Sequence, residues 1–254
     1  MTADRMGNNE LACAKVPAVT LGFWIIKILA TTFGETAGDT LSMSFNYGYL
    51  ASSAIFGVIL AVLVGLQIVA RAFHPLLYWA TIIASTTAGT TLADFATRSL
   101  GLGYAGGSFL LLCTVLLSLA VWHRSMGSVS ITTVRSRRAE IFYWATITFS
   151  QTLGTALGDW VADSALGYLG AAVIFGGLLA IIAAAYFRSA ISHVALFWAA
   201  FILTRPLGAV VGDFLDKPVA HGGLELSRGG ASAALALAII TLILTLPQRA
   251  GKAH

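Results

Sequence analysis

The chain has 254 residues, of which 57 % are hydrophobic and only 10 % are charged, and its mean hydropathy is +0.84. A soluble protein carries about a quarter charged residues, so this composition excludes an ordinary soluble domain and predicts an integral membrane protein. The 15 basic residues are spread between apolar stretches, which argues against nucleic-acid binding. Cys13 and Cys113 are too far apart for a CxxC metal site and do not suggest a disulfide framework.

Eight stretches of the chain are apolar enough to cross a bilayer, for which a helix needs ~20 residues. They lie at 19–41, 49–70, 76–97, 104–122, 139–160, 168–187, 193–214 and 230–247. The odd-numbered stretches are less apolar, because each carries hydroxyls, glycines and a carboxylate. The sequence therefore predicts an all-α membrane protein with eight transmembrane helices, of which the odd-numbered ones are specialised.

One spacing pattern occurs four times: a tryptophan, a glycine ten positions later, and an aspartate five positions after that. The copies are Trp24–Gly34–Asp39, Trp79–Gly89–Asp94, Trp144–Gly154–Asp159 and Trp198–Gly208–Asp213. We expect four two-helix repeats, at 19–72, 73–122, 139–190 and 191–247. A cytoplasmic N-terminal tail (1–18), a basic cytoplasmic linker (123–138) and a cytoplasmic C-terminal tail (248–254) complete the predicted organisation.

Two spans per repeat mean that every repeat enters the membrane from the same side, so the repeats are parallel. The segments between repeats and the termini hold most of the basic residues: Arg5, Lys15, Arg71, Arg124, Arg135, Arg137, Arg138, Arg188, Arg249 and Lys252. The loops within repeats hold Arg98, Lys217 and Arg228. By the positive-inside rule both termini should be cytoplasmic. Four tryptophans would then anchor the protein at the cytoplasmic interface, namely Trp24, Trp79, Trp144 and Trp198.

The fourfold Trp…Gly…Asp pattern resembles a family of bacterial multi-pass membrane proteins with four tandem two-helix repeats. In that family each repeat has a characteristic tryptophan. The resemblance covers the chain from about Lys15 to Leu246. It implies an eight-span protein of a bacterial inner membrane. The family's function is unknown, so a function can be inferred only from the residues.

Residues four apart share one face of a helix, and stepping back from each aspartate in fours reveals four polar stripes. They are Lys27–Thr31–Glu35–Asp39, Ile82–Thr86–Thr90–Asp94, Ile147–Gln151–Thr155–Asp159 and Phe201–Arg205–Ala209–Asp213. A carboxylate that faces lipid costs at least ~2.5–3.5 kcal/mol, so we expect the stripes to face the interior. Each aspartate lies roughly 22 Å from its tryptophan along a straight helix. That depth predicts an outward-facing vestibule, unless the glycines break or kink the helices and draw the aspartates deeper.

Glycines on the same faces favour close helix packing, since small residues four apart let two backbones approach. The predicted packing glycines are Gly34, Gly38, Gly89, Gly154, Gly158, Gly208 and Gly212.

The leading hypothesis is a secondary transporter of a divalent metal cation, because carboxylates and hydroxyls are the ligands that Mg²⁺, Mn²⁺ and Ca²⁺ prefer. Glu35, Asp39, Asp94, Asp159 and Asp213 are the candidate metal ligands. The candidate pathway residues are Thr31, Thr86, Thr90, Thr152, Thr155, Lys27 and Arg205. Neighbouring carboxylates raise one another's pKa, which would allow proton coupling. No Walker loop, dinucleotide loop, HExxH or CxxC occurs, so we expect no enzyme, no ATP-driven pump and no organic cofactor.

Lys27 and Arg205 allow other interpretations. They could be counterions, with Lys27 paired to Glu35 or a neighbour and Arg205 to Asp213 or Asp159. Alternatively, they could bind a small polar or anionic organic solute. Pro206 would kink the seventh span. An intramembrane enzyme and a non-transporting membrane assembly protein are further alternatives. The expected partners are the lipid bilayer and a small ion or solute, and assembly of several copies is left open.

Overall fold

The computed structural model describes residues 15–251, which are organised almost entirely in α-helices. The helices are α1 (Leu21–Asp39), α2 (Gly48–Val69), α3 (Pro75–Asp94), α4 (Gly103–Met126), α5 (Arg137–Ala162), α6 (Gly167–Arg188), α7 (His193–Asp216) and α8 (Arg228–Thr245). They confirm the eight predicted helical segments. The expectations for residues 1–14 and 252–254, which include Arg5, Cys13 and Lys252, fall outside the described residues.

Five helices are long and apolar enough to cross a membrane: α2, α4, α6, α7 and α8. The other three, α1, α3 and α5, carry hydroxyls and carboxylates along their length. Most of those polar side chains are buried inside the protein, so the helices that carry them do not need an apolar surface. The membrane character of the described chain therefore belongs to its even-numbered helices and to α7.

The odd-numbered helices form a closed central ring, in which α1 contacts α3 and α7, and α5 contacts the same two helices. The even-numbered helices lie outside this ring. Each packs mainly against the first helix of the following repeat: α2 against α3, α4 against α5 and α6 against α7. The last helix, α8, packs against α1 and closes the circle. Each repeat is thus completed by its neighbour.

Glycines shape the short loops that join the two helices of a repeat. Gly48, Gly103 and Gly167 open α2, α4 and α6 with φ values of +74°, +67° and +60°. Only glycine adopts this left-handed conformation without steric cost, so the chain can reverse its direction within a few residues. In the first two repeats the preceding helix ends in a π-helical turn, at Thr40–Ser44 and Phe95–Ser99, directly after the repeated aspartate.

The two ends of the described chain meet at the tryptophan end of the bundle. Ala18 N donates to Arg249 O at 2.8 Å, and Gly251 N donates to Val16 O at 2.8 Å. The linker before α5 lies at the same end, and its Val134 packs into the hydrophobic core. These segments cover the end of the helix ring from which the odd-numbered helices start.

Candidate functional site

The central helices approach one another closely because a glycine of each repeat faces a stripe residue of the next helix in the ring. A Cβ atom added to Gly34 would lie 2.1 Å from Thr86 Oγ1, and one added to Gly208 would lie 2.1 Å from Thr31 Oγ1. The same relation holds around the ring for the pairs Gly34–Thr86, Gly89–Gln151, Gly154–Arg205 and Gly208–Thr31. The sequence pattern therefore has a pseudo-fourfold counterpart in the helix contacts.

A second set of glycines supports the same approach one turn further along. Gly38 faces Thr90, Gly158 faces Ala209, and Gly212 faces Glu35, whose Cβ would be 2.7 Å from a Cβ added to the glycine. The helices run without interruption through all of these glycines and through Pro206. The alternative in which these glycines break the helices is therefore wrong. Their role in the structure is to let neighbouring helices pack closely.

The four repeated aspartates lie in the final turns of the central helices, at the end opposite the tryptophans. All four are at most 6 % exposed, namely Asp39, Asp94, Asp159 and Asp213. Burial by protein is the expected position for carboxylates of a membrane helix. The cluster is therefore interior, at one end of the axis enclosed by the ring.

Two basic side chains divide the aspartates into two pairs. Arg98 Nε lies 3.0 Å from Asp94 Oδ1, and Arg98 Nη2 lies 3.1 Å from Asp159 Oδ2. Lys217 Nζ lies 3.0 Å from Asp213 Oδ1 and also contacts Asp39. Arg98 and Lys217 each follow an aspartate by four residues, so each extends the stripe of its own helix. We name these two residues the basic clamps.

Lys217 follows the end of α7 and stays charged in this setting. Burial alone would lower the pKa of its amine, but the carboxylates of Asp213, Asp39 and Asp216 outweigh burial and raise that pKa. Arg228 Nε lies 3.2 Å from Asp216 Oδ2. The extra carboxylate of Asp216 thus has its own arginine at the rim of the site.

Arg205 forms a second ionic layer, deeper along the axis than the aspartates. Its side chain is fully buried, and Nη2 lies 2.9 Å from Glu35 Oε2 and 2.6 Å from Thr90 Oγ1, and also contacts Thr155. The predicted pairing of Arg205 with Asp213 or Asp159 is wrong. Arg205 lies two turns before Asp213, and its guanidinium contacts the glutamate of α1, the adjacent helix of the ring.

Lys27 lies deeper still and contacts no carboxylate of the described chain. Its Nζ donates to Thr204 Oγ1 at 3.4 Å and lies 4.2 Å from the centre of the Phe201 ring. Pairing with Glu35 is therefore wrong. Lys27 shares its tier of the stripes with Ile82, Ile147 and Phe201, so it is the polar member of an apolar layer.

Most of the predicted pathway hydroxyls join helices together. Thr31 donates to Thr204 O at 3.2 Å, Thr86 to Ala30 O at 3.3 Å, and Thr90 to Gly34 O at 3.2 Å. Thr90 and Thr155 also meet Arg205. Thr152 lies apart, since its hydroxyl donates to Thr148 O of its own helix at 3.0 Å.

Three carboxylates from three repeats converge at the axis. Glu35, Asp159 and Asp213 each offer an oxygen, and these oxygens all lie within 4.8 Å of one another. A second group with the same property consists of Asp39, Asp213 and Asp216. Such oxygens are hard ligands and repel one another when ionised. The arrangement is chemically suited to a cation or to shared protons.

The tryptophan end of the axis is filled by aromatic rings. In every repeat the residue before the tryptophan is also aromatic, and it packs on the tryptophan of another repeat around the ring. The four pairs and their ring-centre distances are Phe23–Trp79 at 5.5 Å, Tyr78–Trp144 at 5.7 Å, Tyr143–Trp198 at 6.4 Å and Phe197–Trp24 at 5.7 Å. We name these eight residues the aromatic collar. A buried hydrogen bond of 2.7 Å joins the hydroxyls of Tyr78 and Tyr143 within it.

The aromatic collar corrects the prediction of tryptophan anchors. Trp79 is fully buried and Trp144 and Trp198 are 4 % exposed, so these three do not reach a lipid interface. Trp79 donates to Gln248 Oε1 at 3.1 Å, and Trp198 to Val129 O at 3.0 Å. Trp24 is the member that remains partly exposed. The aromatic residue before each tryptophan was the available sequence signal for an interior role.

The chain belongs to the family described as a repeat of unknown function (DUF347), whose pattern occurs four times in tandem, at residues 22–73, 77–128, 142–192 and 196–249. This confirms the resemblance to a four-repeat family. No curated protein and no solved structure matches the chain.

Proposed function

We propose that all eight helices span the bilayer of a bacterial cytoplasmic membrane, with the aromatic collar toward the cytoplasm. The eight helices have 18 to 26 residues, close to the ~20 that a bilayer requires. The basic residues favour this orientation, since the described segments at the collar end hold Lys15, Arg71, Arg124, Arg135, Arg137, Arg138, Arg188 and Arg249. At the aspartate end the basic residues are Arg98, Lys217 and Arg228, and all three pair with aspartates.

We further propose that the protein is a secondary transporter of a hard divalent cation such as Mg²⁺ or Mn²⁺. The convergence of Glu35, Asp159 and Asp213 carries this proposal. These residues come from three repeats, and Glu35 and Asp213 are 178 positions apart along the chain, yet their oxygens meet within 4.8 Å. Each side chain is at least nine-tenths buried, so solvent does little to screen the repulsion between their charges.

The charge balance supports a divalent cation. Glu35, Asp39, Asp94, Asp159 and Asp213 carry five negative charges when ionised. Arg98, Arg205 and Lys217 contribute three positive charges in direct contact with them. Two negative charges remain, which one divalent cation or two protons would neutralise. Competition of this kind at a single set of carboxylates is the physical basis for proton coupling.

An anionic solute fits this arrangement less well. Arg205, the group expected to bind it, already contacts Glu35, Thr90 and Thr155. A solute carboxylate would have to displace Glu35 and then lie beside an unpaired buried glutamate, which is costly. The contacts of Arg205 therefore favour the cation.

Cation flux into sealed proteoliposomes tests the proposal. Purified protein is reconstituted around a metal-sensitive dye, and Mg²⁺, Mn²⁺ and Ca²⁺ are added outside, with and without a pH gradient. We expect uptake of at least one of these ions by the wild type and its loss in Glu35→Gln and Asp159→Asn. The matched control is Asp163→Asn, which removes an exposed carboxylate one turn beyond Asp159.

Absence of flux for every ion, with protein inserted and monodisperse, would sink the cation proposal. Equal flux in wild type, Asp159→Asn and Asp163→Asn would mean that the buried carboxylate of Asp159 is not required for transport. If Asp159→Asn changed only thermal stability, the charged end would be structural, as in a membrane assembly protein.

A further inference from the structure

A cavity of about 830 Å³ lies beside the aromatic collar, outside the central axis. Its walls come from the first halves of α1 and α7 and the last half of α6, and the linker and both ends of the described chain contribute to its rim. The volume falls within the ~300–1,000 Å³ typical of ligand pockets. The cavity is partly open to the outside and belongs to a part of the molecule that the proposed cation pathway does not use.

The lining of this cavity is mainly apolar and aromatic. Trp24, Phe197, Tyr186, Leu179 and Ile182 form its walls. Its polar groups lie at the rim, where Arg249 is exposed, and at the inner wall, where Thr204 lies. A long apolar wall with a cationic rim is complementary to an amphiphile that has an apolar chain and an anionic head.

The pseudo-fourfold arrangement fails at this cavity. The indoles of Trp79 and Trp198 are covered by Gln248 and by the linker, whereas Trp24 lines the cavity and stays partly exposed. An aromatic side chain in the same repeat position is thus sealed in those two repeats and left open in the first. This difference singles out one place in the ring for an occupant.

The charge at this end of the molecule identifies the kind of head group. The described chain has one carboxylate here, Glu140, which is buried and pairs with Lys15 at 2.7 Å. The other charged groups at this end of the described chain are basic, and of these Arg249 lines the cavity. In the membrane orientation proposed above, on which this inference rests, the cavity lies at the level of a bilayer surface, where a cationic rim attracts anionic lipids.

We propose that this cavity binds one anionic membrane phospholipid, with an acyl chain between α1, α6 and α7 and the phosphate head group at Arg249. The inner wall of the cavity is in contact with the central ring of helices. Thr204 lines the cavity and accepts the hydrogen bond from Lys27, which lies in the central ring. The proposal does not depend on the transported substrate.

Native mass spectrometry of the purified full chain tests the site, with phosphatidylglycerol and phosphatidylcholine as probes. We expect one phosphatidylglycerol to bind more tightly than phosphatidylcholine. Ala183→Trp should weaken this binding by about tenfold, which corresponds to the loss of a few buried methylene groups. Ala184→Trp is the matched control, since Ala184 is the next residue of α6, is exposed and does not line the cavity.

The head group is tested by a second pair of variants. Arg249→Gln should reduce the preference for phosphatidylglycerol over phosphatidylcholine by about fivefold, and Arg188→Gln, outside the cavity, should leave it unchanged. A measurement on reconstituted protein complements these variants: brominated phosphatidylglycerol should quench tryptophan fluorescence less in Trp24→Phe than in wild type.

Equal effects of Ala183→Trp and Ala184→Trp, or equal quenching of wild type and Trp24→Phe, would overturn the location of the site. Equal affinities for the two phospholipids would overturn the anionic head group. Tighter binding of a free fatty acid than of phosphatidylglycerol would overturn the membrane lipid as its occupant. Cation flux is not read in any of these measurements, so their failure is distinct from that of the transport proposal.

Discussion

The two ends of the central ring are built from the same four repeats but use them differently. At the collar end each repeat contributes an aromatic pair, and the four pairs pack around the ring in the same way. At the aspartate end the fourfold order falls to two, because Arg98 and Lys217 each join two neighbouring aspartates. The equivalent positions in the other two repeats are Met43 and Asp163.

This difference shows which part of a repeat has a structural role and which part carries the charged groups of the candidate site. Apolar packing tolerates fourfold repetition, since each aromatic ring only needs a neighbour of similar shape. Four identical carboxylates at one axis would repel one another, so the repeats had to diverge there to supply basic partners. Divergence within the polar stripes therefore marks the chemically specialised end.

The largest expected effect comes from removing Arg205, the buried basic partner of Glu35. Arg205→Met leaves Glu35 buried without a cation and should lower the free energy of unfolding by about 3–5 kcal/mol. Chemical denaturation in detergent measures this change. The double variant Arg205→Met, Glu35→Gln should recover much of the loss, and its failure to do so would mean that Arg205 stabilises the ring through packing rather than charge.

Closing the gap between two central helices should have the next largest effect. A Cβ added to Gly89 would lie 3.0 Å from backbone atoms of Gln151 and Thr152, which cannot move without shifting α5. Gly89→Val should therefore lower stability by about 1–3 kcal/mol and reduce the monodisperse fraction in size-exclusion chromatography. Gly57→Val is the control, because nothing lies within 4 Å of that Cβ on α2. Similar losses in both variants would contradict the close-approach explanation.

A smaller effect is expected within the aromatic collar. Tyr78→Phe removes the hydroxyl that bonds Tyr143 at 2.7 Å and leaves the ring packing intact. The cost should be about 1 kcal/mol, measured by thermal unfolding. A loss as large as that of Arg205→Met would show that the collar depends on its polar contact and not on apolar packing.

The smallest expected effect concerns a basic clamp and rests on the proposed transport. Lys217→Gln removes one cation beside Asp39 and Asp213, so the divalent cation should bind about fivefold more tightly. Isothermal titration of purified protein measures the affinity, with Lys15→Gln as a control at the opposite end. Weaker binding in Lys217→Gln than in wild type would mean that the lysine orients the carboxylates and does not compete with the ion.

Much of the scaffold was accessible from the sequence because its repeat spacing is regular. The fixed distance between each tryptophan, glycine and aspartate identified the four stripes, and the burial of Asp39 and Asp94 follows from the cost of exposing them to lipid. The ring order was not accessible. A repeat pattern gives the period of the chain, but it does not say whether α2 packs against the helix before it or the helix after it.

The missed residues have specific reasons. Arg98 was counted as a loop charge that sets topology, although it lies one turn beyond Asp94 on the same stripe. The partner of Arg205 was misassigned because stepping along one helix cannot show that Glu35, 170 positions away, lies on the adjacent helix of the ring. Trp79 was assigned to a lipid interface from the general preference of tryptophan, which does not apply when another repeat supplies an aromatic partner.

The packing of α8 on α1 closes the four repeats into a circle. The circle is covalently open at one place, between α8 and α1. No repeat is terminal in the helix ring, so none needs the polar cap that open arrays require. Moving the opening to another segment between repeats would leave every helix pair intact, and two shorter chains of two repeats each could close the same circle. The outer face of α1 remains uncovered until α8, which follows it by seven helices in the described chain, is in place.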